Sequence, residues 1–189
     1  MLTGVQARFR APQARRLRRR AMEYAAHRWP VAALAVSRSG RCQCQLADCV
    51  ESHLLDGTAI LDPVAAGETW ADHGWGIALI TSEFDVVDLP AAYGAPLNHR
   101  LLATCPTAVA PRTRRWHFVM EPGSVDADLV TAAGGVLHSG PDDWVPASPT
   151  RTGATGRIGW VVQPLVAHWH PYRRSDAIDS LFAGLTAQN

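Results

Sequence analysis

The chain has 189 residues, of which 47% are hydrophobic and 19% charged, and this composition excludes a disordered segment. The net charge of +1 is unevenly distributed, because residues 1–41 carry ten arginines and a single acid, Glu23, whereas the rest of the chain has an excess of acids. No apolar run approaches the ~20 residues of a membrane span, and no apolar segment typical of a secretory signal follows the first arginines, so we expect a cytoplasmic protein with no membrane partner.

A first helix is predicted from Pro12, a residue that suits a first helical turn, to Arg28. The residues before it are expected to lack regular structure. We therefore interpret residues 1–20 as a basic arm in front of one domain at 21–189. Because the arm contains few sizeable apolar residues, we expect that it can be removed without loss of the fold.

Short strands and helices alternate along the rest of the chain. Strands are predicted at residues 31–36, 76–81, 84–89, 101–104, 115–120, 136–139, 144–147 and 158–162. Helices are predicted from Asp62-Pro63 to 72, from Ser124 to 134 and from Ser175 onward, with a short helix or loop at 90–100. Elements in this order indicate an α+β fold, or an α/β fold with a partly antiparallel sheet.

Three of the four cysteines lie together in a polar segment, as Cys42, Cys44 and Cys49, and His53 follows them. Zinc prefers four thiolate and imidazole ligands in a tetrahedron, and a site with no open position is structural rather than catalytic. The spacing therefore predicts a structural zinc site, with Asp48 or His73 as alternatives to His53. A disulfide is the competing interpretation, although three cysteines leave one unpaired. Cys105 stands alone in an apolar segment and is predicted to be a core residue.

Two groups of arginines are candidates for contact with nucleic acid. The first lies in the basic arm and comprises Arg15, Arg16, Arg18, Arg19 and Arg20. The second lies beside Trp116 and comprises Arg112, Arg114 and Arg115. Arginine pairs with phosphate, and an adjacent aromatic ring can stack on a base. For both groups a solvated protein surface is the alternative, and for the second group so is a strand edge protected by charge.

Several motifs in a fixed order resemble a known family. They are the cysteine loop, Asp62-Pro63, GIALITSEFDVVDL at 76–89, TCP at 104–106, RRWHFVM at 114–120 and WVPASPT at 144–150. Together they cover roughly residues 20–165 and resemble the N-terminal domain of bacterial bifunctional DNA primase/polymerases, in the archaeo-eukaryotic primase superfamily. The resemblance implies an RRM-like mixed β-sheet flanked by helices, two-metal nucleotidyl transfer with Mg or Mn, and DNA, RNA primers and nucleotides as ligands.

The catalytic residues of that family are largely missing here. Its Asp-x-Asp pair, which places two carboxylates on one strand face, falls on Asp88 and Pro90, so one acid remains. Asp85 cannot replace the second acid, because residues three apart on a strand point to opposite faces. The family's phosphate-contacting histidine aligns nearest to Arg115, with His117 two residues on, and its third acid aligns with Leu137 or His138. Asp88 is thus interpreted as a remnant that forms hydrogen bonds.

Three functions follow from these observations. The first is a primase/polymerase-like domain that has lost nucleotidyl transfer and serves as a zinc-stabilised module for binding DNA, RNA or protein. The second is an active primase or polymerase that uses Mg or Mn with unexpected ligands. The third is a zinc-stabilised protein-interaction domain without nucleic acid. The basic arm favours the first over the third, and the missing carboxylates disfavour the second.

Overall fold

A computed structural model describes residues 4–46 and 48–173, with only the backbone described for residues 4–11. Its helices are α1 (Gly4–Ala26), α2 (Pro63–Thr69), α3 (Ala91–Arg100) and α4 (Ala127–Ala132), and a 3-10 helix covers Pro164–Ala167. Its first strands are β1 (Val31–Ala35), β2 (Ser37–Arg38), β3 (Arg41–Cys42), β4 (His53–Leu54) and β5 (Gly76–Pro90). They are followed by β6 (Thr107–Ala110), β7 (Arg115–Met120), β8 (Val136–Pro146), β9 (Arg151–Thr152), β10 (Gly156–Arg157) and β11 (Gly159–Val162).

The chain forms two compact units. Among the described residues, the first consists of those between 4 and 80 and of residues 146–157, and the second consists of residues 81–145 and 158–173. In the first unit, β1 is the central strand, antiparallel to the beginning of β5 on one side and to β4 on the other. All five residues of β1 are buried, as expected for a short apolar run that is covered on both faces.

Helix α1 covers the core of the first unit. Its residues Leu17, Ala21, Tyr24 and Ala25 are buried, and the hydroxyl of Tyr24 donates a hydrogen bond of 2.7 Å to the carbonyl of Ser148. The helix begins at Gly4, with Pro12 inside it, so the expectation of an irregular segment before Pro12 is wrong. Leu17 is only 2% exposed, so residues 1–20 include part of the core. The expectation that this segment can be removed without loss of the fold therefore does not agree with the structure.

Helix α2 begins as the sequence predicts. Both carboxylate oxygens of Asp62 accept hydrogen bonds, from the backbone N–H groups of Val64 at 3.2 Å and Ala65 at 3.1 Å. This is the N-cap arrangement that satisfies the otherwise unpaired amides of a first turn. The helix packs against α1 at Gly67, where a Cβ atom would lie only 3.2 Å from Sδ of Met22. A larger residue at this position would require the side chain of Met22 to shift by a few tenths of an ångström.

The second unit is built on an antiparallel sheet in the order β11, β6, β7 and the end of β5. One sheet face packs on α3 and α4. The buried side chains between them include Val87, Leu89, Leu97, Phe118 and Val130. Cys105 belongs to the same core, in agreement with its predicted place, and burial raises the pKa of its thiol to about 12.

Several element boundaries differ from the predictions. The segments 76–81 and 84–89 are one strand, β5, although Ser82 and Glu83 are exposed, and the predicted strands at 136–139 and 144–147 are likewise one strand, β8. Residues 101–104 are not a strand, because Leu102 and Ala103 have φ angles of 46° and 62°, and the partner of β7 is β6 instead.

The fold class is α+β with flanking helices, as predicted, and the sheet is mainly antiparallel where a mixed sheet was expected. Helix α4 is capped by Asp126, which accepts from the N–H of Asp128 at 2.8 Å, rather than by Ser124. The predicted final helix from Ser175 lies outside the described residues. Among the described helices, none combines the length and the apolar character that a bilayer crossing requires.

Candidate metal centre and basic surfaces

The polar segment between β1 and β4 folds into a loop that is held by its own side chains. Oε1 of Gln43 accepts from the backbone N–H of Val36 at 2.9 Å, and Oγ of Ser52 accepts from the N–H of Ser37 at 2.9 Å. The hydroxyl of Ser37 donates to the carbonyl of Val50. These bonds bring the two ends of the loop together, and β4 then pairs with β1 through His53 opposite Ala35.

This loop brings together the four residues predicted to bind zinc. One ligand atom from each of Cys42, Cys44, Cys49 and His53 lies within 4.8 Å of all the others. Nδ1 of His53 is 3.4 Å from Sγ of Cys49 and 3.8 Å from Sγ of Cys42. In a zinc tetrahedron with Zn–S of about 2.3 Å and Zn–N of about 2.0 Å, such ligand atoms are ~3.5–3.8 Å apart. The residues therefore fit a metal ion of this kind.

The alternatives considered for this loop do not match the geometry. The four cysteines are free thiols, so no disulfide forms. Neither Asp48 nor His73 belongs to the group of converging ligand atoms, whereas His53 does. The cluster can thus hold a metal ion, and its three sulfurs with one imidazole are compatible with structural zinc.

The thiols influence one another strongly. Burial, followed by the neighbouring sulfurs of Cys44 and Cys42, raises the pKa of the Cys49 thiol to about 11. In contrast, a hydrogen bond with the backbone of Leu46 is the main reason that the pKa of Cys44 is lowered. Three thiolates at this separation repel one another, and a bound cation would favour the ionised form of all three.

The described arginine side chains of α1 are exposed or half-buried. Four of them line one surface cavity of about 390 Å³, and we call them the arginine patch: Arg15, Arg16, Arg19 and Arg20. Arg20 forms an ion pair with Glu23 at 2.7 Å, whereas no described acidic side chain pairs with Arg15, Arg16 or Arg19. Arg18 is exposed on another side of the helix.

The second predicted arginine group is divided in the structure. Arg112 and Arg114 are exposed in the turn between β6 and β7, whereas Arg115 lies on β7 and is held by the protein itself. Its Nε donates to Oδ1 of Asp88 at 2.8 Å, its Nη2 to the carbonyl of Asp88 at 3.0 Å and its Nη1 to the carbonyl of Gly134 at 2.9 Å. All three guanidinium nitrogens thus donate within the second unit.

Asp88 lies directly opposite His117 on the neighbouring strand. Nε2 of His117 is 3.7 Å from Oδ2 of Asp88, which is too long for a hydrogen bond. Burial lowers the pKa of His117, while the Asp88 charge opposes this effect and the charges of His138 and Arg115 add to it. The neutral form of this imidazole is therefore favoured beside the arginine-bound carboxylate.

Asp85 is buried with its own partners. Its carboxylate accepts from the hydroxyl of Ser139 at 2.6 Å and from the N–H of Gly123 at 2.7 Å. Asp85 pairs in register with Met120, a core residue, so the alternation of the strand places it on the face opposite to Asp88, as the spacing predicts. His138, which aligned with the family's third acid, contacts Asp143 through Nδ1 at 3.0 Å.

A further group of residues lies beside the metal loop, and of these the sequence pointed only to His73, as an alternative zinc ligand. They line a cavity of about 650 Å³ in the first unit, and among them are Gln13, Arg38, Arg41, Gln45, His73 and Trp75. A signal was present in Arg38-Ser39-Gly40-Arg41, because a Ser-Gly pair between two polar residues is typical of a tight hairpin turn.

Comparison of this chain with protein-family models, with curated proteins and with solved structures finds no match.

Proposed function

We propose that this protein is a zinc-stabilised nucleic-acid-binding domain of the primase/polymerase type that does not catalyse nucleotidyl transfer. The observation that supports binding is the arginine patch of α1. Three of its four cations have no acidic partner among the described residues, and they surround one cavity. Such a cluster of arginines attracts a phosphate backbone without selecting its sequence.

In this proposal, zinc bound by the Cys/His cluster stabilises the unit that carries the arginine patch. Zinc held by Cys42, Cys44, Cys49 and His53 would cross-link the loop to β4, since His53 is a strand residue paired with Ala35. A structural zinc ion contributes directly to folding free energy. In this proposal the metal stabilises the first unit and takes no part in chemistry.

The surroundings of Asp88 support the absence of catalysis. Two-metal transfer needs carboxylates that converge on both cations, and Asp88 is instead bound by Arg115, with Pro90 at the position of the second acid. Among the described residues, the zinc cluster is the only group of three or more potential metal ligands. We therefore expect no template-dependent nucleotide addition with Mg or Mn, as measured by primer extension. Extension that is lost in Asp88→Ala would contradict this expectation.

The binding function is tested by fluorescence anisotropy with a labelled single-stranded oligothymidylate of about sixteen nucleotides. Three substitutions, Arg15→Gln, Arg16→Gln and Arg19→Gln, are combined in one zinc-loaded variant. Each lost phosphate contact lowers the magnitude of the slope of log K against log salt by about 0.7, so we expect a decrease of about 2 in the triple variant.

A matched control removes the same charge from exposed positions of the same unit by combining Arg28→Gln, Arg151→Gln and Arg157→Gln. This control should retain most of the affinity and of the salt slope. If both triple variants lose affinity equally, binding reflects net charge and the patch is not a site. If the unmodified protein does not bind the oligonucleotide at ~0.1 M salt, the proposed function is wrong.

A protein-interaction function is the second candidate, and one observation favours it. The metal loop and its end carry three aliphatic side chains that are largely exposed, Leu46 at 69%, Val50 at 59% and Leu55 at 40%. Exposed apolar side chains that form a contiguous patch often mark contact sites for other proteins. Self-association is the simplest form of this function, and sedimentation of the protein before and after substitution of all three by serine tests it.

A further inference from the structure

The cavity of about 650 Å³ beside the metal loop has the size of a ligand site. We call it the basic cleft, and we define it by Gln13, Arg38, Arg41, Gln45, His73 and Trp75. Cys42, one of the predicted zinc ligands, also lines it. The cleft is therefore adjacent to the metal centre and lies entirely within the first unit.

Two arginines, Arg38 and Arg41, and one acid, Asp72, line the cleft, so the guanidinium groups outnumber the carboxylate. Arg38 and Arg41 are directly paired across the hairpin of β2 and β3, and the turn between them is tight, with φ angles of 53° at Ser39 and 71° at Gly40. Directly opposite residues of an antiparallel pair have side chains on the same face, where like charges repel. An anion between the two guanidinium groups would remove this repulsion.

The backbone around these arginines is well supported. Nε of Arg38 donates to the carbonyl of Arg151 at 3.1 Å, and Nε2 of Gln43 donates to the carbonyl of Gly74 at 3.1 Å. The side chain of Gln43 thus bonds to Gly74 and also accepts from the backbone N–H of Val36. Through these two bonds it connects the hairpin to the segment that carries His73 and Trp75. These bonds hold the hairpin and the His73–Trp75 segment together in the absence of a ligand, which lowers the entropic cost of binding.

Two aromatic rings complete the cleft. The rings of His73 and Trp75 have centroids 5.2 Å apart and are tilted by 34°, and the carbonyl of Trp75 accepts from Nε1 of Trp70 at 3.1 Å. Arginine beside exposed aromatic surface is the combination that proteins use for single-stranded nucleic acid, with phosphates on the cations and bases on the rings. The amides of Gln13 and Gln45 add donors and acceptors for a base edge.

We propose that the basic cleft binds one nucleotide unit of a single-stranded nucleic acid, with its phosphate at Arg38 and Arg41 and its base against His73 and Trp75. This inference rests on the proposed function and assigns it a second contact site. The arginine patch is close by along α1, because Arg16 lies one helical turn after Gln13. A strand held in the cleft could therefore continue over the patch.

The test uses the zinc-loaded full chain and two probes, the labelled oligothymidylate and free thymidine monophosphate. Trp75→Ala should weaken oligonucleotide binding about tenfold, the loss typical of one stacked base, without changing the salt slope. Trp75→Phe, which keeps a ring, should restore most of this affinity. Arg41→Gln should lower the magnitude of the slope by about 0.7, whereas Arg28→Gln, outside the cleft, should leave binding unchanged.

The outcomes separate the two proposals. If Trp75→Ala and Arg41→Gln both bind the oligonucleotide like the unmodified protein while the patch variant does not, the cleft proposal is overturned and the proposed function stands. A second outcome is that the protein binds thymidine monophosphate but not the oligonucleotide, and that Trp75→Ala abolishes the binding of the monophosphate. The cleft is then a mononucleotide site, and the proposal for a strand is overturned together with the proposed function. If neither probe binds, both fail. Because Arg41 is exposed, Arg41→Gln should fold even if Trp75→Ala does not.

Discussion

Arg115 and Asp88 form an ion pair of 2.8 Å between adjacent strands of the second unit, and the same guanidinium also binds the carbonyls of Asp88 and Gly134. Arg115 thus joins β7 to β5 and to the turn that follows α4. The side chains of Arg115 and Asp88 are only 23% and 15% exposed, so the pair is less screened by solvent than one at the surface.

The first prediction concerns the stability that this pair provides. Arg115→Met should lower the free energy of unfolding by about 1–3 kcal/mol, because it leaves a largely buried carboxylate without its main partner. Urea denaturation measures the change. Arg114→Met, at the exposed neighbouring position, is the control and should change stability by less than about 0.5 kcal/mol. Equal effects of the two substitutions would show that the ion pair adds nothing.

A pH dependence is expected from His117. Burial lowers the pKa of this imidazole in the folded protein, so the unfolded chain, with a histidine pKa of about 6.5, binds the proton more readily. The contribution of the neutral His117 to the free energy of unfolding is therefore fully present above about pH 6.5. It decreases as the pH falls from there toward the pKa of His117 in the folded protein. Unfolding free energies measured between pH 5 and 8 should show this loss.

The variant His117→Gln should reduce that pH dependence. His99→Gln serves as the control, because His99 is exposed and the metal ligands are the same in both variants. Asp88, Arg115 and His138 are the charged or titratable groups that act on His117, and all three remain in the variant. An unchanged pH profile in His117→Gln would assign the dependence to other groups.

The metal centre predicts one zinc ion per chain. Elemental analysis of protein purified without chelator should find this stoichiometry, and Cys44→Ser should reduce it strongly, because one of four ligands is lost. Cys105→Ala, in the core of the second unit, should leave the zinc content unchanged. Chelation should increase hydrogen exchange first in residues 37–57. Protein without metal, or retained metal in Cys44→Ser, would contradict the assignment.

The packing of α1 can be tested at Leu17. Because this side chain is buried, Leu17→Ala should destabilise the protein by about 2–5 kcal/mol. Val64→Ala is the control, because Val64 is 64% exposed on α2 in the same unit. Thermal unfolding compares the two variants. If Leu17→Ala is as stable as Val64→Ala, the first part of α1 does not contribute to the core.

Local signals in the sequence predicted several features correctly. The Asp62-Pro63 start of α2 and the convergence of Cys42, Cys44, Cys49 and His53 depend on neighbours a few residues away, so spacing and residue chemistry suffice to find them. The same holds for the opposite faces of Asp85 and Asp88, which follow from the alternation of any regular strand.

Features that depend on distant residues were missed. The exposed Ser82 and Glu83 resemble a turn, yet β5 continues through them because its two halves pair with different strands, β1 and β7. The basic cleft combines α1, the β2–β3 hairpin and the segment after α2, and no single stretch of sequence contains its pattern. Similarly, the three hydrogen bonds that occupy Arg115 involve Asp88 and Gly134, which are far away in the chain.

The pairing of β4 with β1 has a consequence for solubility. β1 is an entirely apolar strand. The far half of its outer edge is covered by β4, in which His53, a predicted zinc ligand, pairs with Ala35, and the near half is covered by Ile60, which bridges Val31. When the metal is lost and the loop loosens, the β4 part of this cover is the part that is weakened, and the backbone groups at the Leu34–Ala35 end of β1 become available to other chains. Because unprotected apolar edges promote strand-to-strand association, zinc depletion should make this protein prone to aggregation.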